Sequence, residues 1–180
     1  MQTKIKIRER MKLLRKREIL KGNAPYSAAH LFLKNINFKK NSIIGLYWPI
    51  LYELDTRPLI KMLSIKNLVL ALPLIKNKSM IFKKWDCKDP LFYTPHRFYA
   101  PSGDASSVKP NILIIPMLAF DSSGYRLGYG KGYYDKYYSS NKTLNYCGYG
   151  FDAQFISCLP QEQHDLKFNS VITEKKIYAF

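Results

Sequence analysis

Three short apolar runs constrain this chain more than any other feature in it. Ile43-Ile44-Gly45-Leu46-Tyr47, Leu68-Val69-Leu70-Ala71-Leu72 and Ile112-Leu113-Ile114-Ile115 are too short for helices and have no polar face. Such runs are strands buried from both sides, as in a parallel sheet covered by helices. The stretches beside them carry helix signals. Asn23 can cap a helix with Pro25 in its first turn, ending near 35–37. Asp55 or Thr56 can cap another, with Pro58 near its start, running to about Lys66. Helix, strand, helix, strand predicts an α/β fold with a largely parallel sheet. Pro73 and Pro116 are expected to end the second and third strands. Met80 to Trp85 reads as one side of a hairpin, 86–110 as loop-rich, and 144–150 and 171–178 as late strands.

No long linker or repeat divides the 180 residues, so a single domain over 1–180 is expected. At this length a core forms without a disulfide or metal staple, and no run of 18 apolar residues offers a membrane span. Cys87, Cys147 and Cys158 are an odd set with no CxxC pair, which predicts neither a disulfide framework nor a zinc site and suggests a reducing, cytoplasmic location. His30, His96 and His164 are too scattered to propose as metal ligands.

The formal net charge is +16. Residues 1–21 hold nine basic side chains against Glu9 and Glu18, and Ile7, Met11 and Leu14 fall on one helical stripe. A basic helix packed on the domain is expected there, with some of its cations reaching an anionic site. A charge excess of this size fits polyanionic partners: nucleic acid, acidic lipid or phosphorylated small molecules. With 22 Lys to 7 Arg, the composition is poor for bidentate reading of bases. The 14 tyrosines keep a basic RNA-binding α/β module as an alternative.

The most informative segment runs from Phe120 to Asp135, FDSSGYRLGYGKGYYD, between a buried strand and a helix starting near Gly132. In open α/β sheets ligands bind beyond the carboxyl ends of strands. Gly128, Gly130 and Gly132 let the backbone approach a ligand closely, and their N–H groups can cradle phosphate. Arg126 and Lys131 add cations. A P-loop fails, because Tyr125 stands at its first glycine and Gly132 at its Ser/Thr. The GxGxxG pattern fails at Tyr133. Asp121 reads as a turn residue.

Pro116 through Asp135 resembles, almost throughout, the signature P-x-L-A-F-D-x-x-G-x-R-L-G-x-G-x-G-Y-Y-D of the 5-formyltetrahydrofolate cyclo-ligase family. Other blocks follow the family order: Lys4-x-x-x-Arg8 with a further Arg15, Tyr47-Trp48-Pro49-Ile50 leading to Glu53 and Asp55-Thr56-Arg57-Pro58-Leu59, then 71–75, and Phe151-Asp152-x-Gln154 through Ile172-Thr173-Glu174. The resemblance implies a three-layer α/β sandwich similar to the ribose-5-phosphate isomerase and CoA-transferase group. It also implies ATP- and Mg2+-dependent conversion of 5-formyltetrahydrofolate to 5,10-methenyltetrahydrofolate, by a monomer needing neither nucleic acid nor membrane. Another ATP-dependent small-molecule ligase or kinase is the remaining alternative.

Residue by residue, the resemblance implies an ATP site of Lys4, Arg8, Arg126, Leu127, Gly128, Tyr129, Gly130, Lys131, Gly132, Tyr133 and Tyr134. Lys131 and Arg126 are the catalytic candidates, with Lys131 on the γ-phosphate. Folate contacts fall on Trp48, Glu53 and 129–133, and Mg2+ ligation on Asp135 and Asp165. Residues 91–101 do not align with the family pattern, so the resemblance leaves ligand contacts there open.

Overall fold

The computed structural model describes residues 3–141, 145–162 and 165–180, so His164 lies outside the described residues. In chain order it has α1 (Lys4–Glu18), α2 (Ala24–Asn35), β1 (Ile43–Gly45), α3 (Arg57–Ser64), β2 (Val69–Lys76) and β3 (Ser79–Lys84). Short strands β4 (Phe92–Tyr93), β5 (Tyr99–Ala100) and β6 (Ser107–Val108) lead to β7 (Ile112–Ile115), β8 (Ala119–Asp121) and β9 (Arg126–Leu127). Then come α4 (Tyr133–Ser139), β10 (Asn145–Tyr149), β11 (Phe155–Ile156), β12 (Ser170–Ile172) and β13 (Ile177–Ala179).

The main sheet has the order β13-β12-β10-β7-β1-β2-β3-β6. Its five central strands, β12 to β2, pair in parallel, and antiparallel partners flank them on both sides. The alternation along β7 explains why its sequence is apolar throughout. Ile112 and Ile114 face the core that buries Ala28, Phe32 and Leu59 of α2 and α3. Leu113 and Ile115 face the opposite core, against which Tyr133, Tyr134 and Tyr137 of the α4 region pack. Helices on both faces of a mostly parallel sheet are the expected sandwich.

Several local expectations are corrected. Pro73 does not end β2; it pairs with Phe82 across the β2–β3 hairpin. β1 borders β2 only along 69–71, so the missing N–H of Pro73 breaks no ladder bond on that side. Asn23 and Thr56 stand at N-caps, yet neither side chain bonds the helix. The α3 start is held instead by Asp55 Oδ1, which accepts the Arg57 N–H at 2.9 Å. The first helical stripe buries Ile7 and Met11 as expected, with Leu14 half-buried against the same cluster, and it buries Arg15 besides. A second, three-stranded sheet has the order β11-β8-β9, and α1 packs through Ile7 and Met11 onto Leu118, Ala119 and Leu127. Asp121 is the turn residue expected: its Oδ1 accepts the N–H groups of Ser123 and Tyr125, and its Oδ2 that of Leu159, each at 3.0 Å. No helix of the described residues is long and apolar enough to cross a membrane.

Candidate active site

The segments that follow the carboxyl ends of β1 and β7 line one cleft of about 930 Å3. One wall is the 47–53 segment after β1, with Trp48 and Glu53. The other is the glycine segment 126–135. Helix α1 closes one side with Lys4 and Arg8, and Asp165 lies at the same edge. Thus every residue that the resemblance assigns to ATP, folate or Mg2+ lines a single cavity, although these residues come from four separate parts of the chain.

The glycine segment and α1 are locked together. Arg8 Nε donates to Gly128 O at 2.9 Å, and the Arg8 guanidinium lies flat against Gly130. A Cβ at Gly130 would stand 3.3 Å from Arg8 Nη2, on a backbone with φ +95°. Only glycine allows both that conformation and that approach. Arg126 is nearly buried; its Nη2 donates to Asp135 Oδ1 at 2.7 Å, while its buried Nε has no partner among the described residues. Lys131 is exposed at the cleft.

Both acidic candidates carry cationic partners. Lys4 Nζ is 2.8 Å from Asp165 Oδ2 and 2.8 Å from Glu162 Oε1. The Leu166 N–H donates to Asp135 Oδ1 at 3.3 Å, so the residue after Asp165 touches Asp135 and the fold brings the two aspartates to one neighbourhood. Their hydrogen bonds within the described residues use Oδ1 of Asp135 and Oδ2 of Asp165. Two hard carboxylates beside a phosphate-sized cradle match the way Mg2+ is held, through one or two carboxylates plus substrate phosphates. Arg126 and Lys131, both lining the cleft, supply positive charge that fits an anion as well. The residues therefore fit both groups. Among the described residues no cluster of three metal-ligating side chains exists.

Glu53 is 4% exposed. Its Oε2 accepts the Ile50 N–H at 3.0 Å, and its Oε1 stands 4.0 Å from Arg15 Nη1. Burial pushes its carboxyl up to about 7, against the opposing pull of the Arg15 charge and the Ile50 N–H. The same burial, with the Glu53 charge nearby, raises the Tyr129 phenol to about 12 and the Tyr134 phenol well above its ordinary range. Trp48 is half-buried, edge-on to Trp85 with centroids 5.9 Å apart, so it serves the core and the cleft together.

The chain belongs to the 5-formyltetrahydrofolate cyclo-ligase family. The model of that family matches residues 1–174. The 5-formyltetrahydrofolate cyclo-ligase of Escherichia coli is 31% identical over 137 residues, 71% of this chain and 75% of that protein. The one from Haemophilus influenzae is 27% identical over 158 residues, covering 83% and 84%. The solved structure of Aquifex aeolicus 5,10-methenyltetrahydrofolate synthetase superposes with a TM-score of 0.80 at 25% identity, over 98% of this chain and 92% of that one. Membership makes the chain an enzyme of the ligase class and accounts for its mostly parallel sheet.

For a cyclo-ligase cleft, two contributors went unread in the sequence. Arg15 was part of the N-terminal block, but nothing in its spacing marked it as buried behind the cleft and bonded to Leu51 and Tyr129 of its lining. Tyr93, His96, Arg97, Phe98 and Tyr99 also line the cleft, from the β4–β5 hairpin. Phe92, Tyr93 and Tyr99 stand largely exposed there, a signal that an aromatic-rich loop between prolines could have supplied.

Proposed function

We propose that this chain cyclises 5-formyltetrahydrofolate to 5,10-methenyltetrahydrofolate with consumption of ATP. The observation that carries the reading is the meeting, in one cleft, of a cation-lined glycine cradle with a wall bearing Trp48 and a buried carboxyl that titrates near neutrality.

The N5-formyl group is an amide, a poor electrophile. Transfer of the γ-phosphoryl from ATP to the formyl oxygen releases ADP and leaves an iminium phosphate. The N10 lone pair then attacks the formyl carbon, the C–O bond breaks, phosphate departs and N10 gives up its proton. The protein has to align the γ-phosphoryl with the formyl oxygen and offset the charge that develops. Arg8, Arg126 and Lys131 supply fixed cations for this, with the backbone of 128–132 close to the phosphates and Lys4 at the edge. Trp48 and Glu53 face the folate, and Glu53 can hold or accept a proton near pH 7. Mg2+ would be held by Asp135 and Asp165 and would neutralise phosphate charge. The whole chain acts as one unit, as a monomer, with neither nucleic acid nor membrane as partner.

The test is the absorbance of the methenyl product on mixing the protein with 5-formyltetrahydrofolate and Mg-ATP. Product should require all three components. Product formed equally well without nucleotide would refute the reading.

A further inference from the structure

The turn that carries Glu53 into the cleft is held in a conformation its residues disfavour. Leu51 and Tyr52 have φ of 45° and 63°, and the Glu53 N–H donates to Ile50 O at 2.9 Å. Two successive left-handed residues in a closed turn call for Asn or Gly, not Leu and Tyr. Such backbone persists where the surroundings over-determine it, and it gathers at functional sites.

Two contacts fix this turn. Glu53 Oε2 takes the Ile50 N–H, and Leu51 O accepts Arg15 Nη2 at 2.5 Å. The same Nη2 donates to the Tyr129 hydroxyl on the facing glycine segment. Nη1 donates to Met117 O at 3.4 Å, just beyond β7. The guanidinium carbon lies 5.3 Å from the Tyr129 ring centre. Arg15 is fully buried, and its Nε has no partner among the described residues. It continues the apolar stripe of Ile7 and Met11, where an apolar side chain would avoid the desolvation that a buried cation suffers. Packing alone therefore does not account for arginine here.

We propose that Arg15 is a positioning residue of the cleft. It locks the strained Leu51–Tyr52 turn to the Tyr129 hydroxyl and so sets the spacing between the wall bearing Trp48 and Glu53 and the glycine segment. A rigid planar fork can hold a carbonyl on one segment and a hydroxyl on another, which a lysine ammonium on a flexible stem does poorly. The kinetic consequence rests on the folate reading of the cleft; the structural one does not.

The test uses the full chain with Arg15→Lys, and with the same substitution added to Leu51→Asn/Tyr52→Gly, which gives the turn the residues it favours. In Arg15→Lys, amide hydrogen exchange at Ile50 and Glu53 should quicken about tenfold relative to the β7 amides. The KM for 5-formyltetrahydrofolate should rise about tenfold, because the walls lose register. The KM for ATP should change by less than about threefold. The added Asn-Gly turn should bring exchange and folate KM back toward the parent values. If Arg15→Lys alone does not fold, folding of the triple variant is itself the rescue. Unchanged exchange in Arg15→Lys, or a triple variant that stays unfolded or unrescued, overturns the proposal. Should the unaltered protein make no methenyl product, the functional reading fails, and the exchange measurement still decides the role of Arg15.

Discussion

Burying the Glu53 carboxyl makes the stability of the protein depend on pH with a definite sign. The folded state keeps that proton up to about 7, whereas the unfolded chain releases it near the ordinary value of 4.5. Between those limits the folded state binds more protons, so stability falls as pH rises and the full penalty is present above about 7. At about 1.4 kcal/mol per pH unit, the interval corresponds to roughly 3 kcal/mol. Most of it, roughly 2.5 kcal/mol, is lost between pH 5 and 8. Glu53→Gln keeps the shape and can still accept the Ile50 N–H, but it cannot ionise. Relative to the parent, the variant should gain that 2 to 3 kcal/mol on going from pH 5 to pH 8. With a urea slope of roughly 2 kcal/mol per molar, its midpoint should move by about 1 M against the parent's. Urea titrations of both proteins at several pH values make the comparison, and the difference between them cancels every other titrating group. Midpoints that keep a constant offset across that range would mean that Glu53 ionises as an ordinary surface acid, and its proposed proton-holding role would go with it.

Three further outcomes are expected. Lys131→Ala should lower kcat by about two to three orders of magnitude, as loss of a transition-state cation does, without moving the urea midpoint, since Lys131 is exposed; a fall of less than about tenfold in steady-state assays assigns the charge compensation elsewhere. Asp135→Asn and Asp165→Asn should each raise the Mg2+ concentration giving half-maximal rate, but only Asp135→Asn should cost roughly 1–3 kcal/mol in urea unfolding, because it removes the counter-charge of the nearly buried Arg126. Unaltered Mg2+ dependence in both would make the pair structural. Lys4→Ala/Arg8→Ala should raise the KM for ATP about tenfold and that for folate by less than about threefold; the reverse pattern would give the N-terminal arm to the folate.

The central sheet was legible because each of its interior strands must be apolar on both faces, and Ile112 to Ile115 could be nothing else. What escaped was pairing too short to have a period. β4, β5, β6, β9 and β11 have two residues each, and two residues show neither alternation nor continuity. Their pairing is set by tertiary packing, as when Asp121 ties the β8–β9 turn to Leu159. Pro73 misled for a related reason: a proline ends a strand only where both sides of the backbone are paired, and whether β1 reaches that far is a property of the sheet.

The site divided along the same line. The cations and glycines of 126–135 were readable because loop chemistry is local: a glycine that must accept an arginine across its face is visible as a glycine. Glu53 was readable because an acid among Ile50, Leu51 and Leu54 has no simple surface explanation. Arg15 was not, because charge on a basic helix reads as solvated surface. Yet Ile7, Met11 and Arg15 follow one another at intervals of four, and the stripe of α1 that faces the β8–β9 sheet continues through Arg15 as well as Leu14. A cation that extends an apolar stripe cannot be solvated if the stripe is buried, so it has to find its partners inside. Here those partners are a carbonyl of a strained turn, the Met117 carbonyl, a tyrosine of the glycine segment and the carboxyl of Glu53. The arginine that sequence patterning assigns to the surface is therefore the group that joins α1 to both walls of the cleft; its charge holds the turn and opposes the burial that raises the pKa of Glu53.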